Sequence, residues 1–418
     1  MTHRERLWTV AQMGSREGYR TAIGFQRDRR LQRLLTDTWL RPAGARWLRR
    51  AGPLSGLDNR TSRELHPSLV ESMTARTLAH ELAERALRRP RSISEIYEGF
   101  LRRGETFGRW SAGVFASHKP EPDRDAVFAY STGALELLDE AAARGVPSIV
   151  DQLDPAHADE DAIYEEMDRW PGWAQHEGRI LPAYWDRLKT EWQCATAVLV
   201  NSEWSKHAVL AAGVPDSRVI VVPLAYEPEE VDALRPHEVG AGPALRVLWL
   251  GQVNLRKGFP YFVQAARLVR NSQIQFTVAG PIRLTTRALQ NLPANLRVLG
   301  HVPRAQALSL YKTSDVLVLP TLSDGFALTQ LEAMTYGLPV IATDRCGEVV
   351  TDGQNGYRVG VRDPEAIAAA LTRLESDRVE LRRMSHEAVS RAAEFTLDRY
   401  VRSVDEGLAG VIERATSS

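Results

Sequence analysis

Short apolar runs alternate with stretches whose apolar residues recur every three or four positions through most of this chain. Runs of four to eight apolar residues bounded by Gly, Pro or Asn fit buried strands, and the wider spacing fits helices that bury one face. From Arg246 onward the runs are RVLWLG, IQFTVAG, LRVLG, DVLVLP and LPVIAT. Between them, Phe259 to Val269, Arg304 to Tyr311, Ala327 to Thr335 and Glu365 to Leu374 carry the helical spacing. Upstream, AVFAY, PSIVDQ, TAVLVNS and RVIVVP alternate with helical patterns at Ala134 to Ala143 and Trp204 to Ala212. Such alternation predicts βαβ units, because parallel strands need a crossover and the crossover helices cover the sheet. The expected class is α/β with two parallel sheets.

The halves are separated by LAYEPEEVDALRPHEVGAGPAL, where Pro228, Pro236 and Pro243 and two Gly interrupt any period. The pattern predicts a first domain over 1–228, a linker over 229–245, a second domain over 246–395 and a helix over 396–418 that crosses back to the first domain. Residues 61–110 are less regular: Leu69 to Leu87 has helical spacing that Pro90 breaks, which predicts a helical insert in the first domain. With 418 residues, 44% hydrophobic and 25% charged, the chain can fill two large cores, and it is neither a disordered tract nor a disulfide scaffold. Cys194 and Cys346 are the only cysteines and lack metal-ligand spacing, which points to a reducing compartment. The opening MTHRERLWTVAQMG lacks the apolar region of a secretory signal, and no apolar run approaches the roughly 20 residues that span a bilayer. The expected location is the cytoplasm.

Net charge is zero, which argues against a general nucleic-acid binder, yet residues 1–110 hold 22 Arg against 12 Asp and Glu. The first half is therefore basic and the remainder acidic. Within the basic half, residues 27–50 combine Arg with Leu31, Leu34, Leu35, Trp39, Leu40, Trp47 and Leu48. That stretch fits either contact with the anionic inner face of a membrane or burial in the domain core.

Candidate chemistry concentrates in two places that follow strands. In PTLSDGFALTQLEAMTYGLPVIATDRCGEVVTDGQNGY, residues 320–357, a loop with Asp324 and Gly325 leads into a helix expected to open at about Phe326. Backbone N–H groups and a positive helix end suit a phosphate there. On one helix Asp324 and Glu332 would stand roughly 80° apart, able to grip different parts of one elongated ligand. Glu332 is flanked by Leu331, Ala333 and Met334, so its carboxylate needs a partner, either a protein donor or a ligand hydroxyl. In WLGQVNLRKGFPYF, residues 249–262, Arg256 and Lys257 precede Gly258 at a helix start, and the chain holds only five Lys beside 48 Arg. They supply fork geometry and point charge for a diphosphate. Ligands of α/β sheets bind at the carboxyl ends of strands, where both stretches lie.

The pieces GQVNLRKGF, FTVAG, VLGHV, YKTSDVLVLPTLSDGFALTQLEAMTYGLPVIAT and CGEVVTDGQNGYRV cover nearly all of residues 246–362 and closely resemble the donor domain of the retaining family-four glycosyltransferases (glycosyl transferases group 1). NSEWSKHAVLAAGVPDSRVIVVPLAYEP, residues 201–228, is similar to the last strand and exit of that family's first domain. The resemblance implies the GT-B fold, two Rossmann-like domains facing each other across a cleft. It also implies metal-independent transfer of a hexose-type sugar from a nucleoside diphosphate sugar to an acceptor hydroxyl of a polysaccharide, lipid-linked glycan or small molecule, with retention and without a further cofactor.

Residue by residue, the resemblance implies that Glu332 holds the ribose hydroxyls and Lys257 the diphosphate. Asp324 stands at the first acidic position of the family's acidic pair, one methylene shorter than the family's Glu. The resemblance further implies that Ser323, Gly325, Phe326, Ala327 and Leu328 form the loop around the transferred sugar and its phosphates. Gln252 stands where many members carry Arg, with Arg256 four positions on. In the first domain, Gly14 of AQMGSREGYR lies where the family has a glycine-containing loop, and Asp151, Asp154 and His157 of PSIVDQLDPAH are candidates for the sugar side of the cleft. Asp324, Lys257, Asp151, Asp154 and His157 make up the expected catalytic set. Asp159-Glu160-Asp161 matches an acid-x-acid metal pattern but reads as a helix entrance and solvated face. Two other readings stay open: a silent nucleotide-sugar-binding partner, and a GT-B epimerase or phosphorylase.

Overall fold

The structure, a computed structural model, describes residues 6–40, 59–74, 77, 92–175, 178–228, 242–270 and 272–417. The first domain is built on strands β1 (Leu7–Gln12), β2 (Leu31–Thr36), β3 (Val70–Ser72), β4 (Asp125–Tyr130), β5 (Ser148–Gln152), β6 (Ala197–Val200) and β7 (Val219–Val221). They form one sheet in the order β3-β2-β1-β4-β5-β6-β7. Every pair is parallel, with Val10 of β1 opposite Leu34 on one side and Phe128 on the other. The second domain holds β8 (Leu245–Leu250), β9 (Ile274–Ala279), β10 (Leu296–Gly300), β11 (Val316–Leu319), β12 (Val340–Ala342) and β13 (Gly356–Arg358), in the order β10-β9-β8-β11-β12-β13. β4, β5 and β6 are buried along their whole length, as continuous apolar runs covered by helices on both faces must be. Each sheet reverses its strand order once, between β1 and β4 and between β8 and β11. That reversal opens a crevice at the strand carboxyl ends.

The described helices are α1 (Arg20–Arg27), α2 (Ile93–Ser117), α3 (Leu135–Ala143), α4 (His157–Arg169), α5 (Pro182–Cys194), α6 (Glu203–Ala211), α7 (Phe259–Leu268), α8 (Arg304–Thr313), α9 (Thr329–Thr335), α10 (Pro364–Ser376), α11 (Arg378–Ala392) and α12 (Leu397–Thr416). α2 opens on a capping box: the Ser92 hydroxyl accepts the Glu95 N–H at 3.2 Å, and Glu95 accepts the Ser92 N–H at 3.0 Å. Its buried stripe is Gly104, Phe107, Gly108, Ser111 and Phe115. A stripe made mostly of small residues escapes a hydrophobic reading, so in sequence terms this 25-residue helix is only part of an irregular insert. The helical spacing that starts at Leu69 is corrected at its beginning, where Val70–Ser72 pairs with β2 as a strand. Residues 75–91 apart from Thr77, the linker over 229–241, and Trp47 and Leu48 lie outside the described residues.

Within the basic stretch over 27–50, the part that forms β2 takes the core-burial reading. Leu34 and Leu35 are fully buried between β1 and β3, and Leu31 is nearly so. Their spacing of three and one belongs to a strand covered on both faces, which leaves these leucines no part in membrane contact. Among the described residues no helix is long and apolar enough to cross a membrane.

Two helices cross between the domains. α12 lies on the first: Arg30 pairs with Asp405 at 3.0 Å, and Arg414 donates to the Ser217 carbonyl at 3.1 Å. α4, from the first domain, lies on the second. Its Glu166 is fully buried, accepting from the Tyr261 hydroxyl at 2.8 Å and from Arg362 Nε at 2.7 Å, while Met167, Trp170 and Trp173 pack on the second domain's core. Removing one member of a buried pair leaves the other desolvated. Glu166→Ala should therefore cost about 3 kcal/mol in a guanidinium titration. Tyr261→Phe, which loses one neutral donor, should cost about 1 kcal/mol. Equal, negligible losses would contradict this role.

Candidate functional site

The loops after β8 and β11 zip together at the switch point of the second sheet. The Leu322 N–H donates to the Arg256 carbonyl at 2.9 Å, and Arg256 Nη1 donates to the Ser323 carbonyl at 2.6 Å. Lys257 Nζ forms an ion pair with Asp324, and its N–H donates to Asn254 Oδ1 at 2.9 Å. Lys257 and Asp324 are mostly enclosed, 22% and 16% exposed. Burial, and next the neighbouring Arg256 guanidinium, push the Lys257 ammonium below its ordinary pKa, whereas Asp159 works against them. An ammonium in that position gains most from an added anion. Gly258 enters α7 with φ 80°, and a Cβ there would lie 1.9 Å from the Pro320 carbonyl oxygen, so the lysine turn requires glycine.

Asp324 and Glu332 do not share a helix. Ala327 takes a left-handed φ of 58°, and α9 starts at Thr329, three residues later than the sequence pattern suggests. The N–H groups of Gly325, Phe326, Ala327 and Leu328 donate to no described residue. Successive free N–H groups around a left-handed residue make an anion-binding concavity. Phe326 itself is buried, its carbonyl accepting from Gly347 N–H at 3.1 Å and from Gln330 Nε2 at 2.8 Å.

Glu332, on α9, finds protein donors: Arg304 Nη1 at 2.9 Å and the Tyr311 hydroxyl at 2.8 Å. Neither donor was singled out in the sequence. Each carboxylate oxygen retains an acceptor site, so the pair orients Glu332 without exhausting it. Burial, then Glu332, raises the Tyr311 pKa well above its ordinary value. Gln252 is exposed, its Oε1 accepting from Asn254 Nδ2 at 3.4 Å.

The first domain closes on this loop. Asp159, on the first turn of α4, reaches Arg256 at 2.9 Å and accepts from the Ser323 hydroxyl at 2.5 Å. The reading of Asp159 as a solvated residue is thereby corrected, and Glu160 likewise accepts from Trp185 Nε1 and the Ile180 N–H, both at 2.9 Å. Trp204 Nε1 donates to Ser323 Oγ at 2.9 Å, with the Arg345 guanidinium 4.0 Å above its ring. A Cβ on Gly325 would lie 2.1 Å from the Leu153 carbonyl oxygen, so the two domains meet here backbone to backbone.

Asp154 is exposed at this junction. Its Oδ1 accepts from Gln152 Nε2 at 2.8 Å and from the Ala156 N–H at 3.0 Å. His157 sits about 200° round α4 from Asp159. Its ring packs at a tilt of 32° against Trp185, 4.0 Å between centroids, so it faces α5 rather than the loop at 323–326. Gly14 donates its N–H to Asp37 at 2.9 Å at the end of β1.

Asp151 is corrected more sharply, because its side chain is fully enclosed and cannot face a ligand. Both of its oxygens lack a hydrogen-bond partner among the described residues. Burial, and next Glu17, raise its pKa well above the carboxylate range, and Glu17 is itself pushed up to about 7, chiefly by burial. Between the unfolded value and about 7 the folded state therefore binds the extra proton. Stability from each group is present below its unfolded value and is lost as pH rises towards its raised folded value, about 7 for Glu17. In denaturant titrations across pH, Asp151→Asn should add on the order of 1 kcal/mol of stability at about pH 8 and flatten the decline that sets in above the ordinary carboxylate range. An unchanged pH profile would contradict the buried pair.

Residues 244–377 match the family described as Glycosyl transferases group 1. The chain is 25% identical over 191 residues to the amylovoran biosynthesis glycosyltransferase AmsK of Erwinia amylovora, covering 42% of this chain and 46% of that protein. It is 30% identical over 218 residues to a D-inositol 3-phosphate glycosyltransferase of Nocardia farcinica, covering 47% and 48%. The chain thus spans about half the length of these curated relatives. A solved sucrose-phosphate synthase from Thermosynechococcus elongatus superposes over 98% of this chain and 100% of its own, with TM-score 0.62 at 14% identity. The shared architecture is the GT-B fold.

Proposed function

We infer that this chain, a GT-B protein whose second domain belongs to the group 1 glycosyltransferases, is a metal-independent retaining enzyme that moves a hexose-type sugar from a nucleoside diphosphate to an acceptor hydroxyl. The observation that carries this reading is the meeting of Lys257, Asp324 and the free N–H groups of residues 325–328 at the sheet's switch point, with the first domain pressed against them.

In this reading Glu332 takes the ribose hydroxyls, and Lys257 leaves Asp324 in part to hold the diphosphate. As the bond between the anomeric carbon and the phosphate oxygen breaks, its electron pair goes to the diphosphate. Lys257 and the N–H groups stabilise the charge that develops there. The acceptor hydroxyl attacks the same face of the oxocarbenium-like sugar, and its proton passes to the departing phosphate oxygen. Water exclusion by the closed cleft strengthens each of these interactions.

Calorimetric titration with UDP, GDP, ADP and TDP in EDTA tests the donor side, and one of them should bind. Glu332→Gln should weaken that binding by about 10- to 150-fold, because a charge-assisted acceptor is lost. An unchanged affinity would overturn the ribose assignment. Binding with no turnover of any sugar conjugate would favour the silent-partner reading.

A further inference from the structure

A cavity of about 470 Å³ opens at the carboxyl ends of β1, β2 and β4 in the first domain. It lies at that sheet's own switch point, where the first α/β sheet should hold its ligand. Its described lining holds four guanidinium groups, Arg16, Arg60, Arg102 and Arg103, against one carboxylate, Asp37. Arg60 is neutralised by Asp37 at 2.9 Å. Arg102 has only a loose, exposed contact with Glu98 at 3.6 Å. Arg103 lies over the Phe100 ring and donates to the Gly99 carbonyl, and neither it nor Arg16 forms an ion pair with a described residue. Met13 and Phe107 supply apolar wall beside this charge.

Aromatic side chains lead outward from the cavity. Tyr184 lines it, shares a hydrogen bond of 3.2 Å with Thr132, and packs edge-on against Tyr97 at 4.8 Å. Tyr97 in turn feels the charges of Asp154, Asp159 and Arg256. None of the cavity residues falls within the matched segment 244–377, so the inference stands on the cavity alone.

We propose that this cavity binds an acceptor carrying a phosphate group, with Arg16, Arg102 and Arg103 as the residues that select it. The proposal rests on the glycosyltransferase reading for the word acceptor, whereas the phosphate site itself does not. Forked guanidinium donors match phosphate oxygens in pairs, and a neutral acceptor would leave Arg16 and Arg103 without an anionic partner among the described residues. The same chemistry fits a soluble sugar phosphate or a polyprenyl diphosphate carrier.

The test uses full-length Lys257→Ala protein, so that phosphate binding at the donor loop is suppressed, with inorganic phosphate, glucose 6-phosphate and farnesyl diphosphate as separate probes at matched ionic strength. At least one should bind by calorimetry, and Arg102→Ala/Arg103→Ala, on the exposed side of α2, should weaken it about tenfold. Binding of glucose 6-phosphate assigns a soluble acceptor, and binding of farnesyl diphosphate alone assigns a lipid carrier. No binding beyond the chloride control, or binding that the arginine substitutions leave unchanged, overturns the proposal. Nucleoside diphosphate titration of the parent protein reports separately, so failure of the donor reading is seen on its own.

Discussion

Lys257→Met should weaken binding of the cognate nucleoside diphosphate by about 100-fold while leaving affinity for the free nucleoside within about twofold. The ammonium is mostly enclosed, ion-paired to Asp324 and close to the free N–H groups of the 325–328 loop. A diphosphate entering there adds negative charge where burial and Arg256 already weigh on Lys257. The substitution also leaves the Asp324 carboxylate half-buried without its cation, so part of the loss comes from repulsion between Asp324 and the phosphates. Asp324→Asn in the Lys257→Met background should recover part of the affinity, which separates that repulsion from the lost attraction. Sugar transfer should fall further than binding, by about 10²- to 10³-fold, if the lysine stabilises charge on the leaving group. Equal losses for nucleoside and diphosphate would remove the phosphate role.

Gly325→Val is expected to separate binding from transfer. Its Cβ would stand 2.1 Å from the Leu153 carbonyl oxygen and 3.1 Å from Asn201 Nδ2, which donates to that same carbonyl at 2.9 Å. Backbone cannot yield as a side-chain tip can, so the domains must part by roughly an ångström. Misplacement of that size costs on the order of 100-fold in rate when two reacting groups come from opposite domains. The proposed nucleotide contacts lie within the second domain, so the dissociation constant of the nucleotide should change by no more than about threefold. Transfer at the parental rate would show that this backbone contact plays no part in the reacting geometry.

The second domain was legible because its strands are continuous apolar runs and its helices carry wide apolar stripes. β8 begins at Leu245, one residue before the expected boundary. The helix after β11 was misplaced because Ala327 adopts a left-handed backbone that nothing in the residue type announces. In the first domain the difficulty was different. LQRLLT reads as one face of a basic helix, yet it is a strand, and only its pairing with β1 and β3 reveals why Gln32 and Arg33 stay half-buried. The bond between Asp159 and Arg256 joins residues that are far apart in sequence, and no local spacing signals it. Asp151 looks ligand-facing because it lies near the end of a strand, but its side chain is fully buried.

The most direct measurement follows a nucleoside diphosphate sugar by proton NMR with the protein in excess EDTA. The account predicts slow consumption of the donor, with the freed sugar appearing first in the donor's own anomeric configuration before mutarotation, and no consumption by Lys257→Met protein. A first-formed sugar of the opposite configuration, or turnover that EDTA abolishes, would contradict metal-independent retaining transfer.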